Sequence, residues 1–367
     1  MNVNNPSPID PETTNREFHG HIYFFQAFDI GEDIDLRRLE QTNAIQQVPL
    51  LLPKYFKNYH TPLAVELPHP HERTTWLNAK IHNFGVISLA YRAPFRATLA
   101  ELRDMLPDMQ ADHQEQSVVD AHTIFRRIKD CTTQPKFFHL RTSYTVIQVD
   151  IDDPTLDGIY LQKTYGGIIA SMVNFVEENL SEYKKEDILK NATGYYRGDL
   201  IIIDREAAFV YDQEYEKIID LFEFVNIHQL ELKYYDKVLD RQLNVIYERK
   251  VRSLPLQSYL PFVGSRINDP VGELGKLRVE ISVITEQLQN SILLSDEPYY
   301  AEIYDLLAER LDLNYWQESL ESKLEIIKDV AMVIQARVDA DREDLLSVLI
   351  IVLILMEFIV GLLHLLK

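Results

Sequence analysis

Between positions 345 and 366 the chain reads LLSVLIIVLILMEFIVGLLHLL, and only Ser347, Glu357, Gly361 and His364 there are not strongly apolar. As a helix this stretch rises roughly 33 Å, against a hydrocarbon core of about 30 Å. Each aliphatic residue favours insertion by about 0.3–0.6 kcal/mol, and one central carboxylate opposes it by roughly 3 kcal/mol. The balance predicts a C-terminal transmembrane helix over 345–366, with a lipid bilayer as partner. The competing reading is a buried helix of an oligomer, which would usually carry a polar stripe.

Orientation follows from topology. The approach QARVDADRED has two Arg against four acids, so charge does not set it. The N-terminus has no cationic start and no apolar run, which predicts a disordered lead-in over 1–16 rather than a signal. The expected location is therefore a membrane, single-pass, with the N-terminal domain cytoplasmic.

The apolar pattern begins well before the tail. Leu320, Leu324, Ile327, Ala331, Ile334 and Val338 step by four and three, and the series resumes at Leu345, Val348, Val352 and Leu355. Upstream, Leu274, Leu277, Ile281, Ile284 and Leu288 repeat the spacing after an Asp269–Pro270 helix start. A break at SDEP (295–298) and a short helix near 300–309 precede a long helix from about Asp312. These signals predict an antiparallel, coiled-coil-like hairpin over 269–344 that associates with copies of itself. Docking of the seams on the N-terminal domain is the alternative. Within the tail Ser347, Glu357, Gly361 and His364 share one stripe, the usual material of helix contacts in membranes. A protonated Glu357 hydrogen-bonding to a neighbouring copy is one reading of that stripe; a carboxylate drawing water inward is the other.

The first 254 residues read as α+β. HGHIYFFQAFDI is a strand and DIDLRRLEQ a short helix. KIHNFGVISLAYRA forms two short strands around 83–85, followed by a helix in FRATLAELRDML. A strand pair at 137–151, a helix in GGIIASMVNFVEENLSEY and a hairpin in GDLIIIDREAAFVYD follow. Asp212 caps a helix to about 224, and a second helix runs from His228 to about Lys250. Strand-strand-helix occurs twice, near 81–107 and 199–223. The expected domain (17–254) is a largely antiparallel sheet with helices on one face, joined by a linker over 255–268 to the hairpin.

Chemistry is hard to find. The net charge of −20 argues against a broad nucleic-acid surface. There is no glycine-rich phosphate loop or dinucleotide fingerprint. His19 and His21 in HGH would lie on one face of a strand, and His69 and His71 in HPHER form a second pair. No cysteine cluster or HExxH accompanies either, so no metal and no cofactor is expected. The lone Cys131 has no nucleophile signature.

Some of these residues carry a family resemblance. IDLRRLE (34–40), NFGVISLAY (83–91), Ser295, Asp296, Pro298, Tyr304, Leu313 and Asn314, and SLESKL (319–324) with Lys323 and Leu324, resemble the required-for-meiotic-nuclear-division family. That family includes fungal sporulation proteins and a mitochondrial inner-membrane protein. The chain departs from its pattern at Ser88–Ala90, at Tyr299 and Tyr300, and at Tyr315 and Trp316. The resemblance implies one C-terminal span, homo-oligomeric assembly and support of the translation machinery, with no enzymatic activity or cofactor.

Together these readings describe a membrane-tethered, homo-oligomeric, non-enzymatic scaffold whose α+β domain binds a protein. The alternatives are an enzyme using a cleft in that domain, or an accessory subunit of a larger membrane complex. The residues expected to make the contacts are Ser347, Glu357, Gly361, His364, Leu320, Leu324, Ile327 and Ile334.

Overall fold

Alternation in EFHGHIYFFQAFD builds the central strand, β1 (Glu17–Asp29), which buries side chains on both of its faces. The computed structural model describes residues 16–31, 33–42, 62–65, 75–138, 140–152, 156–178, 180–250, 279 and 298–365. The other strands are β2 (Asp33–Ile34), β3 (Leu63–Val65), β4 (Thr75–His82), β5 (Val86–Thr98), β6 (Thr132–Thr133), β7 (Arg141–Val149), β8 (Leu200–Ile203) and β9 (Ala207–Tyr211). The helices are α1 (Leu36–Thr42), α2 (Leu99–Ile128), α3 (Gly158–Met172), α4 (Glu182–Leu189), α5 (Tyr215–Lys250), α6 (Pro298–Arg310) and α7 (Leu313–Leu365), with a 3₁₀ turn at Lys129–Cys131.

The chain divides into two compact units. The first comprises Met1–Tyr234 and Gln287–Tyr315, and the second Tyr235–Glu286 and Trp316–Lys367. Unit 1 holds a seven-stranded sheet ordered β3-β4-β5-β1-β7-β9-β8. Its pairs are antiparallel except β7 with β9, so the sheet is mixed. β2 and β6 pair separately.

On one face Phe18, Ile22, Phe24 and Phe28 of β1 join Leu102, Leu106 and Ile124 of α2 and Leu161 and Ile169 of α3 in the main core. The other face is covered as well, which corrects the expectation of helices on one side. Phe222 of α5 stacks on Tyr144 at 5.4 Å, Lys80 meets Glu223 at 2.7 Å, and Thr142 donates to the Asn226 carbonyl at 2.9 Å. Ile227 and Leu230 pack with Ala27 and Val86. The cause is the apolar content of β1, β8 and β9, which leaves neither face able to stand in water.

Several elements differ from the sequence reading. A single strand, Arg141–Val149, replaces the strand pair at 137–151. The helix expected from 166 begins at Gly158, where Asp157 caps it, and ends at Met172 before Phe175 at φ 52°. α2 continues past Pro107 to Ile128, and α5 is one helix through 224–228. The hairpin turn at 204–206 stands as read. The seam at 274–288, apart from residue 279, lies outside the described residues.

α6 is fastened to unit 1 by polar contacts. Arg310 donates to the Asp187 carbonyl at 2.9 Å and lies 4.0 Å from the buried Asp204 carboxylate. Tyr299 donates to Asp212 at 2.8 Å, and Thr193 to Glu302 at 2.8 Å.

The transmembrane expectation is overturned. Among the described residues no helix is long and apolar enough to cross a membrane. Glu357 stands within the apolar part of α7, and a carboxylate in the middle of such a stretch opposes insertion by roughly 3 kcal/mol. The single-pass location and the terminal transmembrane anchor fall with it.

Candidate functional site: a locked helix pair and an exposed apolar run

Unit 2 is built on the C-terminal part of α5 and on α7. Tyr235 and Leu239 of α5 and Leu320, Ile327 and Val330 of α7 are buried, and Leu324 is half-buried. The four-three spacing of the α7 residues brings them to one side of the helix. A polar clasp lies beside them. Lys323 reaches Asp236 at 2.7 Å and Asp240 at 2.6 Å, and Ser319 donates to the same Asp236 oxygen at 2.8 Å. Burial alone would lower the Lys323 pKa, but hydrogen bonds to the two carboxylates outweigh it and raise it. The ammonium therefore stays charged, and the two helices are fixed in register.

Further along α7 the apolar residues lose their cover. Val348, Leu349, Ile350, Ile351, Val352, Leu353, Ile354, Leu355, Met356, Phe358, Ile359 and Val360 are each about half exposed or more, reaching 71% at Phe358. So long an apolar surface is rarely left without a partner. Ser347, Glu357 and Gly361 are exposed too, and a Cβ placed on Gly361 would meet nothing within 4 Å. The side chains of Ile334 and His364 lie outside the described residues. Of the expected contact residues, the structure thus gathers Leu320, Leu324 and Ile327 and leaves Ser347, Glu357 and Gly361 open. Sequence reading missed the clasp, because Asp236 and Asp240 lie more than 80 positions from Lys323 and carry no local motif.

Among the described residues no group of three or more His, Cys, Asp or Glu is placed to hold a metal ion. His19 and His21 do share a face of β1, and His19 sits 2.8 Å from Asp152 and 3.4 Å from Asp150. His82 is sealed beside Ser88 at 3.2 Å, and burial first, then Lys80, pushes its pKa down to about 3. It is neutral at physiological pH. His69 and His71 lie outside the described residues. Cys131 is a buried free thiol.

Residues 19–217, more than half of the chain, match the family described as uncharacterized protein MJ0711, N-terminal domain. The chain belongs to that family. The MJ0711 N-terminal domain match spans the sheet from within β1 to the first turn of α5, leaving the clasp and the apolar run beyond it. Uncharacterized protein MJ0711 of Methanocaldococcus jannaschii is 26% identical over 191 residues, covering 52% of this chain and 56% of the relative. The chain thus spans about half the length of the curated relative it matches. No solved structure matches it.

Proposed function

We propose that the chain is a non-enzymatic, homo-oligomeric scaffold whose copies associate through the apolar run of α7, leaving the α+β unit to engage a protein partner. The observation that carries this reading is the run's exposure on the same helix whose earlier residues, Leu320, Ile327 and Val330, are buried within unit 2. After a polar interruption at Asp341 the four-three spacing resumes at Leu345, Val348, Val352 and Leu355. A second copy therefore offers the same surface in return. Self-complementarity is what a two-fold interface requires. The run holds one charged residue, Glu357, so the repulsion expected from a net charge of −20 is carried elsewhere.

Cysteine crosslinking tests the contact. The native thiol is buried, so Val352→Cys introduces the reactive one. Mild oxidation should convert the Val352→Cys chain into covalent dimers, while Tyr183→Cys, on an exposed residue of unit 1, stays monomeric. Equal crosslinking at both positions, or none at 352, would overturn the reading.

A further inference from the structure

We infer that unit 1 binds a small zwitterion of the amino-acid class on the α5 face of its sheet, held between Arg92 of β5 and Gln148 of β7. The inference stands apart from the scaffold reading and rests on three buried polar atoms without partners that the strand register places together. Gln148 is fully buried; its Nε2 donates to Asp150 at 2.9 Å, and its Oε1 has no partner. Directly opposite it in the β1–β7 register is His21, whose Nδ1 is buried and unpartnered. Two residues along β1, on the same face, Tyr23 stands opposite Arg92, whose side chain hydrogen-bonds with Tyr23 while its Nε is buried and unpartnered.

A buried polar atom left unsatisfied costs about 1–3 kcal/mol, so three in adjacent register positions are not a neutral accident of packing. They are also reachable. His21, Arg92 and Tyr215 are half-buried rather than sealed, and the side chain of Asp150 is 32% exposed. Tyr215, the first residue of α5, hydrogen-bonds with Tyr23 over the same face. Burial first, then Tyr215, pushes the Tyr23 hydroxyl up to about 12, so it stays a neutral donor.

The chemistry of the unmet atoms selects the ligand. Arg92 offers a cationic N–H, matching a carboxylate, and the His21 nitrogen lies between it and Gln148. Gln148 Oε1, with the Asp150 carboxylate beside it, offers acceptors on the other side, matching an ammonium. Arg92 and Gln148 lie two strand spacings apart across the sheet, roughly 9.6 Å, and two residues apart along it, roughly 7 Å, with His21 and Tyr23 of β1 between them.

Calorimetric titration of the full chain with the common L-amino acids tests this, each compared with its N-acetyl and its carboxamide derivative. At least one amino acid should bind with a Kd below about 10 mM, and blocking either end should weaken it by about tenfold or more. Arg92→Met should weaken it comparably while leaving the circular dichroism spectrum unchanged. The blocked ligands need no altered protein, so they decide the matter even if that variant unfolds. Absence of binding by every amino acid up to about 10 mM, equal binding of a blocked form, or indifference to Arg92→Met in a folded variant would overturn the inference.

Discussion

Lys80 of β4 has two carboxylates near it but satisfies only one. It bonds Glu223 at 2.7 Å, while Asp220, one turn earlier on α5, is pushed up to about 6 by burial first and then by Glu223, with Lys80 opposing. A folded-state pKa above the ordinary 3.8 means that the native state holds this proton more tightly than the unfolded chain does. Asp220 therefore contributes full stability below about pH 4 and loses it as pH rises to about 6, by at most about 3 kcal/mol. Asp220→Asn should leave the Tm unchanged near pH 4 and raise it by a few degrees above pH 7, as thermal unfolding followed by circular dichroism would show. A variant less stable than the parent at pH 8 would contradict this. Gly20 shows a different constraint at the same scale. A Cβ there would overlap the Gln148 carbonyl oxygen, so only glycine lets β1 lie against β7 at this point.

Among the elements, α2 shows how a strong start overrides an internal breaker. Thr98 accepts from the Glu101 amide at 3.2 Å, and Glu101 returns a bond to the Thr98 amide at 2.9 Å. With that capping box the helix runs through Pro107 to Ile128. Hydrogen bonds from the Thr98 amide first, and then its hydroxyl, lower the Glu101 pKa. Their contribution is present above the ordinary Glu value and lost as pH falls through the lowered one. Thr98→Ala should cost about 1 kcal/mol at pH 7 and less below pH 4, measured by urea unfolding at both. The capping box and the Asn83–Gly85 turn were legible because their signals are local. Gly85, at φ 82°, occupies the one turn position that L side chains avoid. The end of α2 was not legible, since Pro107 reads as a stop when tertiary cover is unknown. Nor was the unity of α5, whose packing on the sheet runs on without a break through Ile227 and Leu230. The HGH pair was visible as a shared face. Its neighbours Gln148 and Arg92, which give it meaning, come from strands joined to it only by long-range pairing.

For the whole molecule, the family match and the apolar run divide the chain between them. The sheet unit carries the MJ0711-type domain and the group of unmet polar atoms. The final helix carries a surface that water does not favour, with no described residue covering it. Burying a dozen half-exposed aliphatic side chains against a second copy removes several hundred square ångströms of apolar surface from water. At about 25 cal/mol per Å² that is a favourable term for the proposed association, set against the freedom two copies lose on joining. The measurement that bears most directly on this is sedimentation velocity of the full-length chain across a range of concentrations. The account predicts a species whose mass is a whole multiple of 42.9 kDa, and its collapse to a single chain when Val348, Val352 and Leu355 are all changed to Glu. A parent chain that sediments at 42.9 kDa at every concentration, or that is recovered only with lipid membranes, would contradict it.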